Sequence, residues 1–159
     1  MYLITAFIFS ILLIICSITD IKTRKINLIL CLFFLLTGIF IYLFVIQSSF
    51  YILCCNLMTG IFLFIIAKLT HGAIGYGDGI IFLIMSFYLP DACSLAILFL
   101  SLASASLFSI ILLLKKFSRN CRLYRYKFSR KYAIPFVPFI LCGYSIYTAI
   151  QFFTGGFQL

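Results

Sequence analysis

The sequence predicts an all-α integral membrane protein, one polytopic domain over residues 1–159 folded as a bundle of about six transmembrane helices with both termini outside. Three observations carry that prediction. Hydrophobic residues make up 65% of the chain against 9% charged, at a mean hydropathy of +1.27, so no sorting of side chains could wrap a core in a polar surface. The apolar residues fall in long runs separated by short links. When these runs are threaded alternately across a membrane, all twelve Lys and Arg gather on one side, which the positive-inside rule makes the cytoplasmic side.

The first run, 2–19, has no basic residue ahead of it and is followed by Lys22, Arg24 and Lys25. That order is the reverse of a secretory signal and predicts an uncleaved first span entering from outside. A second span over 28–46 and a third over 50–67 are joined by an uncharged link at 47–49, and Lys68 and His71 mark the return inside. The fourth is short: between Asp78 and Pro90 there are eleven residues. They give roughly 17 Å of helix against a hydrocarbon core about 30 Å thick. To cross, this span must take in residues before Asp78, drawing 73–78 below the membrane surface; otherwise it is a short tilted or interfacial helix. Glycines at 72, 75, 77 and 79 suit a broken or closely approached backbone there. A fifth span covers 92–114, a basic loop reaches Lys131, and a sixth covers 132–153.

A net charge of +9 raises the question of nucleic acid, but the charges stand in clusters between apolar runs rather than along a soluble face. They are topology signals, and the 115–131 stretch suits the anionic lipid of an inner leaflet, at about 1 kcal/mol per basic residue. No nucleic-acid partner is expected. Seven cysteines are scattered without a Cys-x-x-Cys pair, which indicates neither a disulfide framework nor a zinc site but small apolar packing residues. No metal or organic cofactor is expected: the chain has no glutamate and no His-Glu-x-x-His motif, too few ligands for a metalloprotease. His71, the one histidine, is read as an interfacial side chain.

Chemistry is therefore sought in the acids, of which there are three: Asp20, Asp78 and Asp91. Asp91 beside Pro90 on the outer side is a turn residue. Asp20 ends the first span and Asp78 begins the fourth, at the same membrane edge, where a carboxylate is costly enough to be a functional candidate. Two neighbouring carboxyls cannot both ionise easily; one takes a proton from water while the other donates to a peptide carbonyl, the chemistry of an aspartyl protease. The structural alternative is that each caps a helix, which suits Asp78 at a helix start better than Asp20 at a helix end. A non-enzymatic carrier or assembly subunit, using the aspartates for proton movement or packing, is the other functional reading.

Three segments bear on this choice. Asp20-Ile21-Lys22-Thr23-Arg24-Lys25-Ile26-Asn27 opens the first basic loop, Gly75-Tyr76-Gly77-Asp78 opens the fourth span, and Ile134-Pro135-Phe136-Val137-Pro138-Phe139 opens the sixth. In that order they resemble the first aspartate segment, the Gly-x-Gly-Asp segment and the Pro-Phe-x-Pro stretch of the type IV prepilin peptidases. The resemblance implies that Asp20 and Asp78 are the catalytic pair of an inner-membrane aspartyl endopeptidase in a bacterium. Its substrates would be type IV prepilins or the pseudopilins of type II secretion, relieved of a basic leader at the cytoplasmic face. It further implies that Gly75 and Gly77 are structural, letting Asp78 approach Asp20. The sequence departs from the family in having Ile26 where a proline usually precedes the asparagine, and Ile80 where a lysine usually follows the second aspartate. It also lacks the cysteine-rich zinc-binding insertion of larger, N-methylating members, so peptidase activity alone is expected. Gly-x-Gly-Asp is shared, more distantly, with presenilin-like intramembrane proteases.

Overall fold

The computed structural model describes residues 2–23, 27–46, 49–70, 75–89, 93–118 and 135–154, and helix is their only regular secondary structure. Each predicted apolar run carries one helix. These are α1 Tyr2–Thr23, α2 Leu28–Ile41 continued by a π-helical turn Tyr42–Ile46, α3 Phe50–Leu69, α4 Tyr76–Met85, α5 Ser94–Ser118 and α6 Val137–Phe153. Arg24, Lys25, Ile26, His71, Gly72, Pro90, Asp91, Ile134 and the basic residues of 119–131 lie outside the described residues.

Four helical stretches are long and apolar enough to cross a membrane: Ile4–Thr23, Leu28–Ile46, Phe50–Leu69 and Ser94–Leu114. The other two are shorter. α6 has 17 residues, while the ten of α4 give about 15 Å, half the thickness of a hydrocarbon core. Helical residues before Asp78 number only Tyr76 and Gly77, with Gly75 as the N-cap. Among the described residues the helix of the fourth run is this short one, Tyr76–Met85, and residues 71–74 before it lie outside them.

Packing follows stripes that recur every three or four residues, the spacing that lines up one helix face. On α1 the stripe is Phe9, Leu12, Leu13 and Cys16; on α4 it is Ile81, Phe82 and Met85; on α6, Val137, Ile140 and Tyr144, and all of these are buried in one core. α1 packs on α6 and α6 on α5, while α4 lies against α3 and α2. The first and last helices thus form one side of the bundle, and the middle helices the other.

Aromatic side chains hold the two sides together. The Phe9 ring lies between Tyr88, at 5.4 Å, and Tyr144, at 5.2 Å, separations at which ring pairs attract. The Tyr88 hydroxyl donates to the Phe34 carbonyl at 2.8 Å and sits 2.7 Å from Thr37 Oγ1, so residues just after α4 are tied to α2. Tyr144 donates to the Ala6 carbonyl at 3.1 Å. Where helices approach most closely, glycine provides the room: a Cβ on Gly143 would stand 2.8 Å from the Ser101 amide nitrogen and 3.0 Å from the Ile97 carbonyl oxygen, so α5 and α6 meet backbone to backbone.

A buried polar cluster joins α3 to α5. Asn56, Thr59 and Ser94 are each 5% exposed or less. Asn56 Oδ1 accepts from the Ser94 amide at 3.2 Å and from its hydroxyl at 2.8 Å, while Thr59 Oγ1 donates to Ser94 Oγ at 3.0 Å. Asn56 thereby caps the first N–H of α5, one of the orphan donors that every helix start leaves and that apolar surroundings cannot satisfy. Asn56→Leu strips that cap at similar volume. It is expected to lower stability by about 1–3 kcal/mol, the penalty of unpaired buried donors, read as an earlier thermal transition in detergent.

The outward surface is apolar, as a lipid-facing surface must be. Leu28, Leu32, Leu36 and Phe40 of α2, and Leu107 and Leu114 of α5, are among the exposed large side chains.

Candidate active site

Asp20 lies in the last turn of α1, four residues beyond Cys16, so it extends the buried stripe of that helix by one step. The helix does not end at Asp20, as the sequence suggests, but runs on to Thr23. A carboxylate in a last helical turn faces the negative end of the helix dipole, which disfavours it. The compensation comes from α6, whose Val137 amide donates to Asp20 Oδ2 at 3.3 Å. Here the capping expectation is reversed: Asp20, judged the poorer cap, does cap a helix, though not its own.

Asp78 stands at the third position of α4, three and four residues before Ile81 and Phe82 and therefore on their buried stripe. It is 8% exposed. Its amide bonds to the Gly75 carbonyl at 3.1 Å, making Gly75 and not Asp78 the N-cap. Among the described residues no side chain donates a hydrogen bond to the Asp78 carboxyl. The two carboxyls are close enough to act on each other electrostatically. One turn back from Asp20 on α1, the buried Cys16 shares the core with the buried Cys31 of α2.

Of the glycines before Asp78, Gly75 has a visible reason. Its φ of −64° and ψ of 127° are open to any residue, so conformation does not demand glycine there. Space does: an added Cβ would lie 3.2 Å from Asp78 Oδ2. Gly75→Ala pushes that oxygen by a few tenths of an ångström, and is expected to slow turnover by up to about 10²-fold, the scale of small misplacements at reacting groups, with the melting temperature held. Gly72 falls outside the described residues, and Gly79 serves the α3–α4 crossing, where its Cβ would stand 3.2 Å from Phe64 Cδ2.

Asn27, from the first sequence segment, is the N-cap of α2, its Oδ1 accepting from the Ile29 amide at 3.1 Å. It opens α2 and is not among the hydrogen-bond partners of the carboxyls. The only basic side chains described at this end are the exposed Lys22 and Lys68, in the last turns of α1 and α3.

The model of the type IV leader peptidase family matches residues 7–114, more than half of the chain and a stretch that contains both Asp20 and Asp78. The chain belongs to the type IV leader peptidase family. Neither curated proteins nor solved structures give a match to it. As a leader peptidase it is a protease, and the carrier and assembly-subunit readings fall away. Its several apolar helices make this leader peptidase a multi-pass membrane protein. The proline segment of 134–139 lies beyond the matched residues, and its part in the site comes from the Val137 amide.

What sequence reasoning missed is that amide. The segment was legible only as a resemblance, because a backbone N–H carries no residue signature. A signal did exist, since a helix opening with Pro138 at its second position leaves few donors at its start.

Proposed function

We propose that this leader peptidase is an aspartyl endopeptidase in which Asp20 and Asp78 together activate water. The observation that supports the proposal is that two carboxyls, one on α1 and one on α4, are each in register with a buried stripe and within electrostatic reach of each other. A pair so placed shares one proton between two acids. The unprotonated member takes a proton from a water molecule held between them, the water oxygen attacks the scissile carbonyl, and the protonated member gives its proton to the carbonyl oxygen. Collapse of the tetrahedral intermediate then breaks the C–N bond, the amine leaving with a proton from the pair.

In this reading the substrates are prepilins or pseudopilins with a short basic leader. Cleavage takes place at the cytoplasmic face of a bacterial inner membrane, with six helices threaded so that the basic links lie inside. Lys22 and Lys68 at the aspartate end support that orientation, as does the attraction of basic links to anionic lipid. The protein acts as one peptidase domain without metal or organic cofactor. Co-expression with a prepilin, followed by intact-mass measurement of the product, tests the function: a mass loss equal to the leader is expected, and an unprocessed prepilin beside well-expressed wild-type enzyme would refute it.

A further inference from the structure

We propose that the start of α6 is part of the catalytic machinery, its Val137 main-chain amide being the positioning group that sets the orientation of the Asp20 carboxyl. The inference rests on the aspartyl peptidase reading above and adds a group that acts through Asp20.

Donor supply at this helix start is the first support. In an ordinary helix the first amides are all without intrahelical partners. In α6 the second residue is Pro138, which has no N–H, and the Phe139 amide is already bonded to the Phe136 carbonyl at 2.9 Å. That leaves Val137 as the donor of the first turn, and it is the one bonded to Asp20 Oδ2. Within α6 itself, the sequence Val137-Pro138-Phe139 thus leaves the Val137 N–H as the first-turn donor without an intrahelical partner. With one bond on Oδ2, the carboxyl can turn only about that contact, and Oδ1 makes no hydrogen bond among the described residues.

Anchoring is the second. Val137 is fully buried and belongs to the same core as Cys16, Ile81 and Met85, so the donor cannot drift from the carboxyl without opening the bundle. Further along, the Tyr144 to Ala6 bond fixes α6 against α1 a second time. At 3.3 Å the contact stands at the long end for N–H···O, as catalytic hydrogen bonds often do before substrate arrives.

A comparison within the molecule separates this role from plain capping. The equivalent first amide of α5 is capped by Asn56, a neutral side chain in a wholly buried place. An amide suffices where only a cap is needed; α6 is capped by an acid that also lies within electrostatic reach of Asp78.

The test removes the N–H, with a weaker Phe136 carbonyl acceptor as the side effect of the ester and a changed side chain as that of the proline. Val137→α-hydroxyvaline, introduced by nonsense suppression, replaces the amide by an ester, and Val137→Pro removes the same hydrogen at a helix position that proline favours. Val137→Ala keeps the N–H and sacrifices side-chain packing. Rates are measured on purified enzyme in detergent with a prepilin bearing a basic leader. The ester and proline enzymes are expected to lose about tenfold or more in kcat, the scale of a misoriented reacting group, with KM within twofold of wild type. The alanine enzyme, which keeps the donor and loosens only its anchor, is expected to lose less in kcat than either. Wild-type kcat in the ester enzyme overturns the proposal, and so does an alanine enzyme as slow as the proline one. The peptidase reading is judged separately: if Asp20→Asn or Asp78→Asn still cuts, that reading fails, whereas silent aspartate variants beside a fully active ester enzyme defeat the positioning role alone.

Discussion

Asp20→Asn is expected to leave the fold intact and to reduce leader removal by about 10²–10⁴-fold, the range contributed by general acid–base catalysis. Asparagine keeps a carbonyl oxygen where Oδ2 stands, so the Val137 amide retains its acceptor, as the Ser94 amide has in Asn56. What asparagine cannot do is exchange a proton with water. Asp78→Asn should match it in activity, since the proton is shared and either member alone is insufficient. Asp20→Leu makes the contrast: it silences the enzyme as well but also orphans the Val137 N–H, lowering stability by about 1–3 kcal/mol. A gel shift of a co-expressed prepilin reads activity, and a circular dichroism melt in detergent reads the fold. Processing by either asparagine variant at the wild-type rate would sink the shared-proton mechanism.

Gly60→Val should fail in the opposite way, losing stability and activity together. A Cβ on Gly60 would stand 2.8 Å from Leu83 Cδ2 and Cγ and 2.9 Å from the Leu83 amide nitrogen. Side-chain atoms could rotate aside, but the backbone contact obliges α4 to move away from α3. Overpacking of this kind destabilises by about 1–3 kcal/mol. Because Asp78 rides on α4, its carboxyl moves too, and a displacement near 1 Å can remove about 10²-fold of rate. The checks are the same melt and gel, and a variant that melts early yet cuts at full rate would show that α3 does not position Asp78.

Much of this architecture could be read in the amino acids. The six apolar runs became six helices, and the eleven residues between Asp78 and Pro90 marked the fourth as too short to cross unless residues before Asp78 joined it. The sites of close approach were not legible, and the reason is the solvent. In a water-soluble helix, polar residues mark the outer face; here both faces are apolar, so the inward stripe of Phe9, Leu12, Leu13 and Cys16 has nothing to contrast with. Only a polar residue falling on the stripe betrays it. Asp20 and Asp78 do so, as do Asn56 and Ser94. Helix ends were less faithfully marked: α1 continues past Asp20 because Lys22 suits a last helical turn, and α4 starts before Asp78 because Gly75 takes the cap.

The bond between Asp20 and the Val137 amide spans 117 positions of chain, and that separation bears on when the enzyme can work. Val137 is made 117 positions after Asp20, so a chain still on the ribosome with α1 inserted has one acid without its anchor and, until α4 folds, without its second acid. On the aspartate-pair proposal, cutting waits for α4 to fold, and the full rate arrives with the docking of α6.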